Sequence, residues 1–152
     1  MKRGFAIAVM LSLFLLGTTA CATSTPPKKR TDEGSALAPC PASPNCVSSI
    51  DRDRKHAIAP LVYPSDRNAA YRALIGIIDA QPRATIVKQG PAYVHVEFSS
   101  RLFGFIDDVE FLFVPDRPRI EIRSASRTGY FDFGVNRKRI EKIRRLLAAA
   151  LD

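Results

Sequence analysis

Two runs of strict alternation dominate the middle of the chain. Val109, Phe111 and Phe113 fall at every second position, Ile120 and Ile122 repeat the spacing, and charged residues fill most of the places between. A period of two marks a strand with one buried face. Pro115-Asp116-Arg117-Pro118 separates the runs, so Asp107 to Val114 and Arg119 to Ser124 predict a hairpin with neither proline inside a strand. Upstream, Thr85-Ile86-Val87 and Tyr93 to Phe98 flank the turn Gln89-Gly90-Pro91 and predict an earlier hairpin.

Two further segments carry apolar residues at helical spacing. Ala70, Leu74, Ile77 and Ile78, with Tyr71 and Ile75 beside them, follow a cap at Ser65 or Asp66 and stop before Pro82. Ile140, Ile143, Leu147 and Leu151 form a second stripe, with Asn136 expected as its N-cap and Val135 and Ile140 as a hydrophobic staple. Cys40 to Pro64 is rich in Pro, Ser and Asn, lacks periodicity and reads as ordered loop with a few apolar anchors. The predicted fold class is α+β: a four-stranded antiparallel meander with two amphipathic helices packed on one face.

The same alternation populates the other face. If Val94, Val96 and Phe98 point to the helices, Tyr93, His95 and Glu97 point away, as do Asp108, Glu110, Glu121 and Arg123. That face is either solvated, with cross-strand ion pairs each worth under ~1 kcal/mol, or a site.

The N-terminus adds an address. Lys2 and Arg3 precede an uncharged run from Gly4 to Leu16, and the small residues Gly17-Thr18-Thr19-Ala20 lead into Cys21. The run falls short of the about 20 apolar residues of a membrane-spanning helix and suits a signal peptide. Small residues directly before a cysteine resemble the bacterial lipoprotein signal, in which Cys21 is acylated and becomes the first mature residue; Thr18 stands where Leu is usual. An ordinary cleaved signal or an uncleaved anchor are the alternatives. Ala22 resembles the outer-membrane sorting class of a Gram-negative envelope, facing the periplasm. The expected organisation is a leader over 1–20, a flexible tether over 21–38 and one domain over 39–152.

Cys40 and Cys46 are then an even pair in the Pro-rich CPASPNC segment. In an oxidising compartment they predict a disulfide; a metal site is the weaker alternative, with no second cysteine pair and His56 the nearest histidine. Loss of Lys2 and Arg3 with the leader takes the formal charge from +8 to +6. Lys28, Lys29 and Arg30 in the tether lie where anionic headgroups are within reach, or are simply solvated. Nucleic acid is excluded as a partner by the envelope address and the lack of an aromatic-studded binding strand.

No catalytic motif organises the polar residues. Ser124 and Ser126 lack a nucleophile elbow, and His95, Glu97, Asp107, Asp108 and Glu110 match no metal-binding spacing, so neither metal nor cofactor is expected. The anomaly is Arg137-Lys138-Arg139 at the start of the last helix, where the dipole disfavours cations. Either an internal network compensates, with Arg123, Arg127 and Arg137 clustered on Asp107 and Asp108, or these arginines and the helix start at Asn136 bind an anion.

Four blocks occur in order: CPASPNCVSS, IAPLVY, FGFIDDVEF and RSASRTGYFDFGVNRKRIEKIR. Together they resemble the conserved blocks of a bacterial and plastid domain-of-unknown-function family, number fourteen ninety-nine, from Pro39 to about Leu147. The resemblance implies a small bacterial envelope domain and carries over no activity or catalytic residues. Two function classes follow. One is a non-enzymatic envelope lipoprotein, held to the membrane by its lipid, that binds an anionic small molecule, a lipid headgroup or an envelope protein. The other is a small hydrolase or transferase using the acidic strand and Arg123.

Overall fold

The structure is a computed structural model that describes residues 37–152. The leader, Cys21 and all but the last two residues of the expected tether lie outside the described residues. Leu37 is buried, and the chain then runs through β1 (Cys46–Ser48), β2 (Leu61–Val62), α1 (Arg67–Asp79), β3 (Ala84–Gln89), β4 (Tyr93–Ser99), β5 (Ile106–Phe113), β6 (Arg119–Ser126) and α2 (Val135–Leu151).

Alternation in β4, β5 and β6 sets the register. Val94 lies beside Phe111, which lies beside Ile122; one layer along, Val96, Val109, Ser124 and Val47 form a row across four strands. Valines and aromatics on this face meet the stripes of both helices, and Val94, Val96, Val109, Phe111, Ile122, Leu74 and Ile140 are inaccessible to solvent. Cross-strand apolar pairs at such positions are the unit of sheet stability. Both helices pack on this face, as the alternation requires.

The expected class holds, with one correction: the sheet has six strands, not four, in the order β1-β6-β5-β4-β3 with β2 also on β6. The segment read as loop over Cys40 to Pro64 supplies the additional two. β1 and β2 are too short to show a period, and their partner β6, far away in sequence, decides their conformation. His56 helps fix this region: it is buried, and its Nδ1–H donates to the Cys46 carbonyl at 2.9 Å. Cys40 and Cys46 lie at disulfide-forming distance, with Cα atoms 5.7 Å apart.

The helix starts differ in kind. Asp66 caps α1 through its side chain, accepting from Asn68 N at 2.8 Å and Ala69 N at 3.0 Å. The cap of α2 is Gly134, at φ 73°, and not Asn136. Asn136 lies two positions further in and is fully buried, its side chain claimed by the sheet; Val135 is 45% exposed and makes no staple. Asp132 takes over the capping chemistry: Oδ1 accepts from Gly134 N and Oδ2 from Asn136 N, both at 2.9 Å. A carboxylate at this helix end offsets the cations that follow it.

Candidate functional site

Polar groups gather on both faces of the sheet near the end where β4 and β6 finish and β5 begins. On the face away from the helices, Asp108 is 2% exposed and accepts from three directions. His95 Nε2–H donates to Oδ1 at 2.7 Å, Arg127 Nη2 to Oδ1 at 2.7 Å and Arg127 Nε to Oδ2 at 2.8 Å. Arg127 also pairs with Glu97. Burial pushes the Asp108 carboxyl up, but the hydrogen bonds from His95 and Arg127 outweigh it and hold the group down at about 2. Hydrogen bonding to Asp108 raises the Arg127 guanidinium in turn, against the smaller opposing effect of burial.

The next rows continue this ladder. Tyr93 Oη donates to Glu110 Oε1 at 2.6 Å, Arg123 Nη1 reaches Glu110 Oε2 at 3.3 Å, and Glu121 binds Ser49 Oγ at 2.5 Å and Arg119 at 2.8 Å. Alternation placed these side chains on the correct face. Their environment was not legible: Glu110, Glu121 and Arg123 are each 8% exposed, so the middle of the face is buried and not solvated. Arg123 Nε has no hydrogen-bond partner among the described residues.

On the helix face a second network forms at the same end. The row Phe98, Asp107, Ser126 and Asn45 closes the core here. Arg139 of α2 lies over the Phe98 ring at 4.7 Å and donates Nη2 to Asp107 Oδ2 at 2.5 Å. Asn136 ties helix, sheet and loop together. Its Nδ2 donates to Asn45 O, Ser126 Oγ and Asp132 Oδ2, at 3.0, 3.1 and 2.9 Å. Its Oδ1 accepts from Ser124 Oγ at 2.5 Å and from Arg139 Nη1 at 2.7 Å.

The structure therefore divides the expected cluster. Arg127 with Asp108 is brought together as proposed; Arg123 pairs with Glu110, and Asp107 with Arg139. Arg137 joins neither acid. It donates to the backbone carbonyls of Lys55 at 3.2 Å and Ala57 at 2.8 Å, and makes no ion pair among the described residues. The first backbone donors of α2 already serve Asp132, which leaves the expected anion site no free N–H at Gly134 or Asn136.

Two residues were missed. Arg139 lies three positions after Asn136 and four before Ile143, a spacing that puts it on the sheet-facing side of α2; Asp107 shares the face of Val109 by the same alternation. Asn45, which also donates to the Gly129 carbonyl at 2.6 Å, had no local signal.

An enzyme of the expected kind needs a concave site holding a carboxylate and an arginine. The groove lined by Tyr63, Arg67, Asp116 and Arg117 lies at the opposite end of the sheet from both networks, and Arg67 there donates to the Pro91 carbonyl at 2.7 Å.

Neither a curated protein nor a solved structure matches the chain. Residues 36–147 match the family described as Protein of unknown function (DUF1499), a span that takes in both networks, every strand and most of α2. The buried ladder and the Asn136 hub fall within the four blocks already quoted or on the strands between them, and the chain belongs to the DUF1499 family.

Proposed function

We propose that this protein is an envelope lipoprotein whose folded domain acts by binding and not by catalysis. One observation carries the reading: the ionisable side chains that an enzyme would use here are bonded to one another. Asp108 accepts from His95 and Arg127, Glu110 from Tyr93 and Arg123, and Asp107 from Arg139. A general base needs a free lone pair facing its substrate, and a nucleophile needs such a base beside it. The networks instead stiffen the end of the sheet from which two loops project. A lipid headgroup or an envelope protein is the partner this reading favours; an anionic small molecule has less support, because Asp132 engages the Gly134 and Asn136 donors at the start of α2.

Two substitutions test the two halves of this reading. Cys21→Ser is expected to abolish fatty-acid labelling of the protein and its globomycin-sensitive processing; continued labelling overturns the lipid anchor. His95→Gln keeps a donor toward Asp108 and removes a proton-transfer group. Cells relying on this variant are expected to behave as wild type, and loss of function with the fold intact overturns the non-enzymatic reading.

A further inference from the structure

We propose that the end of the sheet bearing the β4–β5 and β6–α2 loops is a membrane-docking surface, which seats the domain on a bilayer containing anionic phospholipid. The proposal rests on the lipid-anchored reading above and specifies what the anchored domain touches.

Six large apolar or aromatic side chains project here. Leu102, Phe103 and Phe105 are 83%, 73% and 51% exposed, and Tyr130, Phe131 and Phe133 are 74%, 56% and 78% exposed. None of the exposed large hydrophobic residues elsewhere on the described surface is aromatic. The loops are neighbours, since Arg127 N donates to Ile106 O at 2.9 Å where both leave the sheet. Concentrated apolar exposure of this kind marks an interaction surface.

Folding does not account for these residues. Phe103 and Phe105 stack on each other with centroids 5.4 Å apart, and Phe131 and Phe133 meet edge-on at 5.1 Å. Phe133 also sits at φ 54°, a left-handed conformation that a bulky side chain rarely adopts. An exposed aromatic held in an unfavourable backbone geometry points to a role outside the fold.

Three features favour a bilayer over a protein partner. The exposed rings belong to two loops beyond the ends of β4 and β6, and aromatic rings are at home in the headgroup layer of a bilayer. Exposed Arg83, Arg101 and Lys138 flank the tips, while the nearby carboxylates point inward to partners, Asp107 to Arg139, Asp108 and Glu97 to Arg127, and Asp132 to the start of α2, so the outermost charges are cations facing anionic headgroups. The preceding chain also joins the domain close by: Cys40 is stapled to Cys46, and the adjacent Asn45 holds Gly129 of the β6–α2 loop at 2.6 Å. The loops are braced for the task, with Ser100 N bonded to Phe105 O at 2.8 Å and Phe105 N to Ser100 Oγ at 2.9 Å.

The chain contains no tryptophan, so a single introduced one reports its own surroundings. Phe103→Trp, Phe131→Trp and, at the opposite end of the sheet, Val62→Trp are made in the full chain. Each is reconstituted into vesicles of phosphatidylethanolamine and phosphatidylglycerol doped with brominated phosphatidylcholine. The expected result is severalfold stronger bromolipid quenching, with a blue-shifted emission, at 103 and 131 than at 62. Arg101→Glu combined with Lys138→Glu is expected to reduce that quenching. Protein that floats with the vesicles but shows equal quenching at all three positions, or tip residues quenched mainly by aqueous acrylamide, overturns the docking surface. Undiminished tip quenching in vesicles without phosphatidylglycerol overturns the anionic requirement. Protein that does not float with the vesicles overturns the anchor reading itself.

Discussion

Asp107 and Asp108 are consecutive in β5 and face opposite sides of the sheet. Asp107 turns toward α2 and receives Arg139 at 2.5 Å, while Asp108 turns away and receives His95 and Arg127, both at 2.7 Å. One strand thus ties the helix layer and the far face together through neighbouring carboxylates. Each is matched to a cation that the opposite register would strand, so the pair penalises a one-residue slip of β5.

The depressed Asp108 carboxyl makes stability depend on acid. Unfolding returns the group from about 2 toward 3.8, so between those values the unfolded chain binds the proton that the folded one refuses. Stability from Asp108 is therefore complete above about pH 4 and is lost as pH falls toward 2, a contribution on the order of 2 kcal/mol. Urea unfolding of wild type and Asp108→Asn across this range checks it: the variant should lose this component of the acid slope. Parallel slopes would refute the assignment.

Asn136→Ala should be among the costliest substitutions of a polar residue. It leaves Asn45 O, Ser124 Oγ and Arg139 short of partners in a region closed to solvent, which predicts a loss of about 3 kcal/mol or more. Chemical denaturation measures it, and a change below about 1 kcal/mol, the ordinary net worth of one hydrogen bond, would show that the hub is not stabilising.

Arg137→Ala tests the divided cluster. With its guanidinium on two backbone carbonyls and no carboxylate, the residue should contribute about 1 kcal/mol, well short of the about 3–5 kcal/mol of a broken buried ion pair. Arg139→Ala should cost more than Arg137→Ala in the same measurement. The reverse order would restore Arg137 to the acidic cluster.

Replacement of both Cys40 and Cys46 by Ser should leave the domain folded and less stable. The loop they close is short, with a sequence separation of 6, so the loss should fall below the about 3 kcal/mol of a 15-residue loop. Thiol titration of the denatured, unreduced wild type should find neither cysteine free.

Phe133→Gly removes an exposed ring and relaxes a left-handed backbone. Its effect on stability should stay within about 1 kcal/mol of zero, against the about 3–5 kcal/mol lost when a core Phe is truncated. A core-sized loss in thermal or urea unfolding would mean that the ring supports the fold.

Local pattern was enough for the elements with many repeats. Alternation assigned Val94, Val96 and Phe98 to the core and Tyr93, His95 and Glu97 to the other side, because a strand's geometry admits only two faces. The same rule placed Asp108, Glu110, Glu121 and Arg123 together, and helical spacing found Ala70, Leu74 and Ile78 and Ile140, Ile143 and Leu147.

What the sequence by itself determined is therefore the class of the fold, the two helices, the four long strands and the outward side of the sheet for His95, Glu97, Asp108, Glu110, Glu121 and Arg123, whereas Asp107, expected beside Asp108, lies on the helix side. These follow from periods that residues a few places apart impose on one another. Only the tertiary structure decided that β1 and β2 join β6, that Asn136 is a buried hub with Asp132 as the cap, and which arginine meets which acid. Each of those outcomes depends on groups far apart in the chain, such as Asn45 with Asn136 or Asp107 with Arg139. Long side chains such as arginine reach several partners equally well from a local pattern, and it is the packing of distant elements that selects among them, giving Arg139 to Asp107 and Arg127 to both Asp108 and Glu97.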